Sequence, residues 1–423
     1  MTTPILTKII VLLSIISLPL FGQQHIKEES IIAQHIADAL AQEGFQSIDV
    51  NQLENGLVLA YENRVYRFDA VGLQKVLTIT KEQLKRFDTD FEQIVFLTKR
   101  HNIPEVSTTW YLRDSLSGSP FHQLSFSRNL SIHQKGKSLV SNKNTGNFRA
   151  ELVLRPFLTM ELGNLFVEDQ FIHLFDLRPK VNIYLWKGAH FTYEFILPIS
   201  NEFKELGAPQ WSEIRPRVVS LTQQIRLPFS TYVNTSLGLF SRSRYGLTAQ
   251  VGKYAWQDRL LLTGEVGYTG TASYVRYNGF EVKKSWAYSH LNYLNYKLGV
   301  RYWFPKWNTQ VSIEYGKVLS DKKAVFVRCK QRFKEVELEF YAFHNGEGSN
   351  YGLELAVPIF PKKYWKPKLF SIRPTKHFRY NYLSGQREGG QLHLAREYQA
   401  QGMFGNFPQD LNPHFLKNYV LGN

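Results

Sequence analysis

Residues 148–162 read FRAELVLRPFLTMEL. Every even position is apolar: Phe148, Ala150, Leu152, Leu154, Pro156, Leu158, Met160 and Leu162. Most odd positions are polar: Arg149, Glu151, Arg155, Thr159 and Glu161. A period of two predicts a β-strand whose two faces lie in opposite environments. The stretch is also long, since strands of soluble domains usually run to about five or six residues. Oil on one face and charge on the other, over that length, suits the wall of a membrane barrel.

The alternation recurs downstream. Further strands are predicted at 180–186, 189–198, 216–227, 231–240, 245–254, 259–268, 294–304, 309–318, 324–332, 335–343 and 351–360, about 12 with the first. The connections carry a second signal. Long ones (163–179, 199–215, 269–293) occupy odd places in the series, and the even places are tight: 187–188, 228–229, 255–258, 305–308 and 333–334. In an up-and-down barrel, odd and even connections lie at opposite rims, and long loops at one rim with short turns at the other are the habit of outer-membrane barrels. Trp186, Trp256, Trp303 and Trp307 flank even connections, as an interfacial aromatic girdle would. In lipid every backbone N–H and C=O must be paired, so strands cross only as a closed barrel. The predicted fold is therefore mainly β: a transmembrane antiparallel up-and-down β-barrel at 148–360, of 12 or 14 strands. The competing architecture is a soluble β-sandwich, in which the apolar face would be core. Pro156, lacking an N–H, is expected at a strand end or bulge.

The flanks read differently. Lys8 precedes the apolar run IIVLLSIISLPL at 9–20, and Gly22 offers a cut: a signal peptide at 1–22. Residues 23–114 suggest a small periplasmic α/β domain. Ser30 opens a helix that Gly44 closes, strands lie at 47–50, 57–61, 91–98 and 105–112, and Asp69 caps a second helix. Residues 115–147 read as a linker with at most one strand, at 121–129. Residues 361–423 read as a basic periplasmic tail, with seven Lys or Arg between Lys362 and Arg379 and no acid. The one cysteine, Cys329, forbids an internal disulfide. The net charge of +15 is spread along an exported chain, so outer-membrane lipid or an anionic glycan is a better partner than nucleic acid.

Strands 324–332 and 335–343 make a hairpin turning at Phe333-Lys334. This register sets Arg332 opposite Glu335, Lys330 opposite Glu337 and Arg328 opposite Glu339, a lumen ladder of opposite charges. Arg149, Glu151, Arg155, His190, Glu194, Lys297 and Arg301 are further lumen-facing candidates, with Arg226, Glu265, Glu314 and Glu354. Such a ladder either stiffens the wall or lines a path for a charged polymer; stiffening is the plainer account. His190 with Ser220 or Ser236 is the pairing a hydrolase would use, but no nucleophile motif surrounds them and no enzymatic activity is expected. No metal-ligand spacing appears, and no cofactor is expected.

Two resemblances follow. Asn350-Tyr-Gly352-Leu-Glu-Leu355-Ala-Val357 resembles the last-strand signal read by the barrel assembly machinery, which implies that machinery as a partner during biogenesis. Tyr61-Glu-Asn-Arg-Val-Tyr-Arg67 with Ala70-Val-Gly-Leu-Gln resembles the N-terminal domain of YjbH-like exopolysaccharide proteins. Leu154-Arg-Pro156, the run ILPISN at 196–201 and Trp211-Ser-Glu-Ile-Arg-Pro216 are similar to pieces of that family's barrel. The resemblance implies an outer-membrane accessory or conduit in exopolysaccharide or capsule export, working with a polysaccharide export machinery. A general porin and an outer-membrane hydrolase are the alternatives.

Overall fold

The computed structural model describes residues 20–87, 90–112, 124–128, 130, 136–162, 171–204, 209–241, 243–317, 323–346, 348–383 and 411–421. Residues 1–19 of the expected signal peptide lie outside this set. The expected cut after Gly22 falls in the first turn of helix α1 (Leu20–Glu43).

The N-terminal part is a six-stranded sheet with helices against it. Its strands are β1 (Gln46–Leu53), β2 (Gly56–Glu62), β3 (Gln93–Arg100), β4 (Ile103–Tyr111), β5 (Leu124–Ser127) and β6 (Lys137–Lys143), in the order β5-β4-β3-β2-β1-β6. Helix α2 (Asp69–Leu84) crosses between β2 and β3, the one parallel pair of this sheet. At Gly56 the neighbouring strand leaves no room for a side chain: a Cβ there would lie 1.8 Å from the Gln93 carbonyl oxygen. The apolar faces of α1 and α2 cover the sheet, burying Ile36, Leu40, Leu59, Leu73 and Phe96 completely. Two expectations are corrected. Residues 115–147 are not simply a linker, because they supply both β5 and β6 to this sheet. Asp69 does not cap α2; Phe68 holds the cap position, and the Asp69 carboxylate instead accepts from Asn63 Nδ2 at 3.1 Å.

The barrel is closed and has thirteen staves. The first is β7 (Ala150–Leu154) with β8 (Pro156–Leu162), interrupted at Arg155; the second is β9 (Phe171–Leu177) with β10 (Lys180–Tyr184). Pro156 opens β8 at the interruption, where its missing N–H breaks no ladder. There follow β11 (Ala189–Asn201), β12 (Arg215–Leu227), β13 (Thr231–Phe240), β14 (Arg244–Ala255), β15 (Leu260–Tyr277), β17 (Tyr293–Phe304), β18 (Thr309–Lys317), β19 (Lys323–Phe333), β20 (Val336–His344) and β21 (Ser349–Pro358). Between them, β16 (Val282–Tyr288) pairs with the far end of β15, so the predicted long connection 269–293 is a ribbon standing beyond the wall.

The last stave corrects the reading of the tail. Strands β22 (Phe370–Pro374) and β23 (His377–Leu383) pair with β7, β8 and β21 and close the cylinder. Single-chain bacterial barrels ordinarily have an even number of strands. An odd number in an up-and-down order makes the first and last staves run the same way, and the seam between β22–β23 and β7–β8 is indeed parallel. Segment 350–357, read as a last-strand signal, therefore lies in the twelfth stave.

The polarity of the wall decides between barrel and sandwich. Leu237 is 59 % exposed and Leu298 63 %, and Leu221, Leu247, Val266, Ile313 and Val327 also face outward unprotected. The inward face buries Thr222, Ser236, Thr248, Gln250, Ser312 and Glu314. A sandwich would put the leucines between its sheets. Here they form a continuous outer surface that only acyl chains can cover, so the chain is a transmembrane β-barrel. Among the described residues, no helix is long and apolar enough to cross a membrane. Trp186, Trp256 and Trp307 are exposed at the even rim, consistent with a girdle, but Trp303 is 4 % exposed. Its odd place on β17 turns it inward among the polar residues, and it is not part of the girdle.

Candidate functional site

Two polar constructions occupy the barrel: a network of ion pairs on the inner wall, and the N-terminal domain across the even rim.

The wall network is centred on Glu314 of β18, which is buried among three cations on neighbouring strands. Arg328 lies at 3.1 Å, Lys297 at 3.3 Å and Arg301 at 3.5 Å. Lys297 also reaches Glu265 at 3.7 Å. The β19–β20 hairpin continues the network, with a corrected register. The turn is Lys334-Glu335, so Lys330 faces Glu339, Arg332 faces Glu337, and Arg328 faces Tyr341. Lys334 takes a left-handed conformation, φ 54°. Glu335 leaves the ladder and binds Arg67 and the Tyr419 hydroxyl at the rim. The slip keeps every side chain on its face, because it moves the pairing by two. Charges still alternate across the strands: Lys330–Glu339 at 3.0 Å, Lys330–Glu337 at 3.7 Å, Arg328–Glu339 at 3.9 Å, and Arg332 against Glu337.

The bases read as a solvated tail join the same lattice. Arg379 binds Glu354 at 2.5 Å and Glu337 at 3.1 Å, and Arg373 binds Glu151 at 2.7 Å. Across the barrel, Glu194 holds Arg155 at 2.6 Å and Arg217 at 2.8 Å. Each carboxylate has cations on adjacent strands, so the lattice ties neighbouring staves together. Arg149 departs from its expected lumen position: it stands at the rim, donating to Asn144 Oδ1 at 2.8 Å and to the Pro367 carbonyl at 3.2 Å.

The N-terminal domain is seated on the even connections. The β10–β11 turn is pressed under the β3–β4 turn, with the Gly188 N–H donating to the His101 carbonyl at 2.7 Å. Gly188 has φ 78°, and a Cβ there would lie 2.1 Å from the Gln224 carbonyl oxygen and 2.9 Å from Ile103 Cδ1, so only glycine fits. The His101 ring lies 4.4 Å from that of His190 and 5.6 Å from that of Tyr184. Glu105 of β4 accepts from Gln224 Nε2 at 2.9 Å, and Arg226 donates to the Pro104 carbonyl at 2.6 Å. Arg128, wholly buried, joins Glu105 at 3.4 Å and Asp258 at 3.7 Å, with its guanidinium 3.8 Å above the Tyr254 ring. Arg67 pairs with Glu335, and the Tyr364 N–H donates to the Val65 carbonyl at 2.7 Å.

Helix α3 (Pro413–Leu421) wedges into the same joint. His414 Nε2 meets the Gln257 carbonyl at 2.7 Å, Asn418 donates to the Pro305 carbonyl at 2.9 Å, and Val420 enters the N-terminal core. The second, sixth, eighth and tenth connections all meet the domain or this helix. The mouth at this rim is capped.

Sequence reasoning had no access to the cap. Arg64, Arg67, His101, Glu105 and Arg128 follow no periodic pattern, and the barrel residues they meet, Tyr184, Glu335, Gly188, Gln224 and Asp258, lie far away in the chain. The serine–histidine pairing that a hydrolase would use does not form: the His190 ring packs at a tilt against that of His101, while Ser236 bonds Thr222 at 2.9 Å. Another constellation was missed altogether. Ser200 Oγ lies 2.9 Å from His173 Nε2, and His173 Nδ1 lies 2.7 Å from a Glu202 carboxylate oxygen. Among the described residues, no cluster of His, Cys, Asp and Glu could hold a metal ion.

The fold and its mouth define the class: a transmembrane β-barrel of outer-membrane type with an N-terminal α/β domain docked on one rim. No family model matches the chain, and no curated protein matches it. Among solved structures it is similar to a BenF-like porin from Pseudomonas fluorescens Pf-5 (14 % identity, TM-score 0.28, 49 % of this chain and 62 % of that one). It is also similar to the outer membrane protein opdK from Pseudomonas aeruginosa (12 %, 0.28, 49 % and 61 %). A loop-deletion mutant of OmpT, an outer membrane protein of Vibrio cholerae, gives 8 %, 0.26, 49 % and 85 %. The chain thus spans about three fifths of the first two.

Proposed function

We propose that this barrel serves as an accessory or conduit in exopolysaccharide export across the outer membrane, with the capped rim in the periplasm. The observation that carries the reading is the cap itself. A general porin needs two open mouths, whereas here a folded domain is joined to several turns of one rim by buried hydrogen bonds and ion pairs. A hydrophilic lumen capped at one rim by a docked domain suits a component that opens, or is engaged, only with its export partners. The YjbH-like segments favour the same class, and the mixed charge of the inner wall is compatible with a polyanionic or neutral glycan.

The test is genetic. Deletion of the gene is expected to lower secreted polysaccharide while leaving growth and general permeability unchanged; unaltered secretion defeats the proposal. In planar bilayers the full chain should give little steady conductance. A large, non-selective and persistent current would favour the porin reading instead.

A further inference from the structure

We infer that Ser200, His173 and Glu202 form an ester-hydrolysing site on the outer face of the barrel, at the rim away from the N-terminal domain. The inference is independent of the export reading.

A register slip builds the site. Between β11 and β9, Leu197 faces Leu177 and Pro198 faces Asp176; the pairing then shifts, so that Ser200 faces Phe175 and Asn201 faces Leu174. The slip falls at Ile199 and turns the end of β11 over. Asp176 is wholly buried inside, so its neighbour Phe175, with His173 two residues earlier, points outward. Ser200 therefore shares the lipid-side face with His173. Glu202, in the 3₁₀ turn after β11, completes the row: one of its oxygens accepts from both the His173 backbone N–H, at 2.9 Å, and Nδ1, at 2.7 Å. That double grip orients the ring and leaves Nε2 facing Ser200 Oγ at 2.9 Å. A hydroxyl within hydrogen-bond reach of an imidazole, itself oriented by a carboxylate, is the arrangement that activates a serine nucleophile.

Position selects the substrate. Ser200 is near the far end of β11. At a rise of about 3.4 Å per residue and a tilt of about 40°, it stands roughly 30 Å above the capped rim. The lipid-facing band of such barrels is about 25 Å tall, so the hydroxyl lies at the opposite membrane interface. Ile199, the residue before Ser200, is exposed, as is Ile214 immediately before the neighbouring strand β12. The substrate class is a carboxylic ester of an acylated amphiphile, its chain in the bilayer and its carbonyl at the interface.

In the reaction, Ser200 Oγ bonds the carbonyl carbon as its proton passes to His173 Nε2. The bond to the alcohol oxygen breaks, and His173 gives that proton to the departing alcohol. Water then attacks the acyl-serine, His173 takes its proton and returns it to Ser200 Oγ, and the carboxylic acid leaves. Glu202 is a positioning residue, holding the ring and balancing the imidazolium.

The test uses the full chain in detergent micelles with two probes, a long-chain alkyl fluorophosphonate and p-nitrophenyl palmitate. Peptide mapping should find the label on Ser200. Ser200→Ala should abolish labelling and hydrolysis, and His173→Ala should slow both by about 100-fold or more. Glu202→Gln should slow both and alter the pH profile, with Glu202→Asp regaining part of the loss. Ser236→Ala, on the buried inner face, should label like the parent. No label on the folded parent, or label and turnover retained in Ser200→Ala and His173→Ala, would overturn the site.

Discussion

The N-terminal domain and the barrel are both built on alternating or amphipathic segments, yet they are inside out relative to each other. In the domain, Leu59 and Phe96 point to a dry core beneath the helices, and Val58 and Val95 on the other face are buried as well. In the barrel, Leu237 and Leu298 point outward while Thr222, Gln250 and Glu314 are buried. The strand pattern itself is neutral about which face is inside. What decides is the solvent: water drives the domain's apolar face inward, whereas lipid removes that drive and instead penalises every unpaired polar group. The domain is held by apolar packing; the barrel is held by its closed ladder and by the charges tied across its lumen.

The sharpest way to break this contrast is to strike the lattice at its centre. Glu314→Ala leaves Lys297, Arg301 and Arg328 crowded inside the wall without their shared carboxylate. Removing one partner of a buried ion pair costs about 3–5 kcal/mol, and the barrel should lose stability on that scale. Urea unfolding in micelles, followed by tryptophan fluorescence, measures it. The same substitution at Glu281, which pairs with Lys283 out on the exposed ribbon, should change stability by less than about 1 kcal/mol. Equal effects at the two positions would mean that the lumen is as well hydrated as the surface.

A matched pair of truncations sharpens the comparison. Leu73→Ala in the domain core removes packed apolar volume and should cost about 3 kcal/mol. Leu298→Ala on the lipid face exchanges one apolar surface for another against fluid acyl chains and should cost less than half as much. Unfolding each variant in lipid vesicles gives both numbers. If Leu298→Ala costs as much as Leu73→Ala, the outer leucines are packed against protein rather than lipid.

These two environments also explain what could be read in advance. Most wall strands from β12 to β21 were legible within a residue or two, because lipid on one side and water on the other force a strict period; the exceptions are the far end of β15 and the whole of β16, which stand beyond the wall. The thirteenth stave carries the period as well, with Phe370, Ile372, Phe378, Tyr380 and Tyr382 on one face. Its Lys and Arg run, with Pro374 between the halves, looked like a solvated tail because the acids it pairs with, Glu151, Glu337 and Glu354, lie elsewhere in the chain. The β19–β20 register was misplaced because Phe333-Lys334 and Lys334-Glu335 are equally poor turn sequences, and Glu335 is drawn out by Arg67 and Tyr419. The Ser200 site depends on a slip at Ile199 that alternation alone would have placed on the wrong face.

The smallest expected effect lies at the seam between the two regions and turns on His101. Its ring is buried between Tyr184 and His190, and Arg64, Arg100 and Lys180 are the cations around it. Burial first, then Arg64 and Arg100, hold its pKa well below the ordinary histidine value. A base whose pKa is lowered in the docked state takes up fewer protons there than when released. Docking is therefore at full strength above the free value, about 6.5, and weakens as pH falls below it. Each pH unit below that point removes at most about 1.4 kcal/mol, until the docked ring itself protonates. Limited proteolysis of the domain should accelerate by several fold between pH 7.5 and pH 5.5, while the barrel stays resistant. His101→Asn, which has no charge to gain, should flatten the dependence even if it loosens docking at every pH. An unchanged slope in that variant would move the sensitivity to another group at the seam and leave His101 as packing alone.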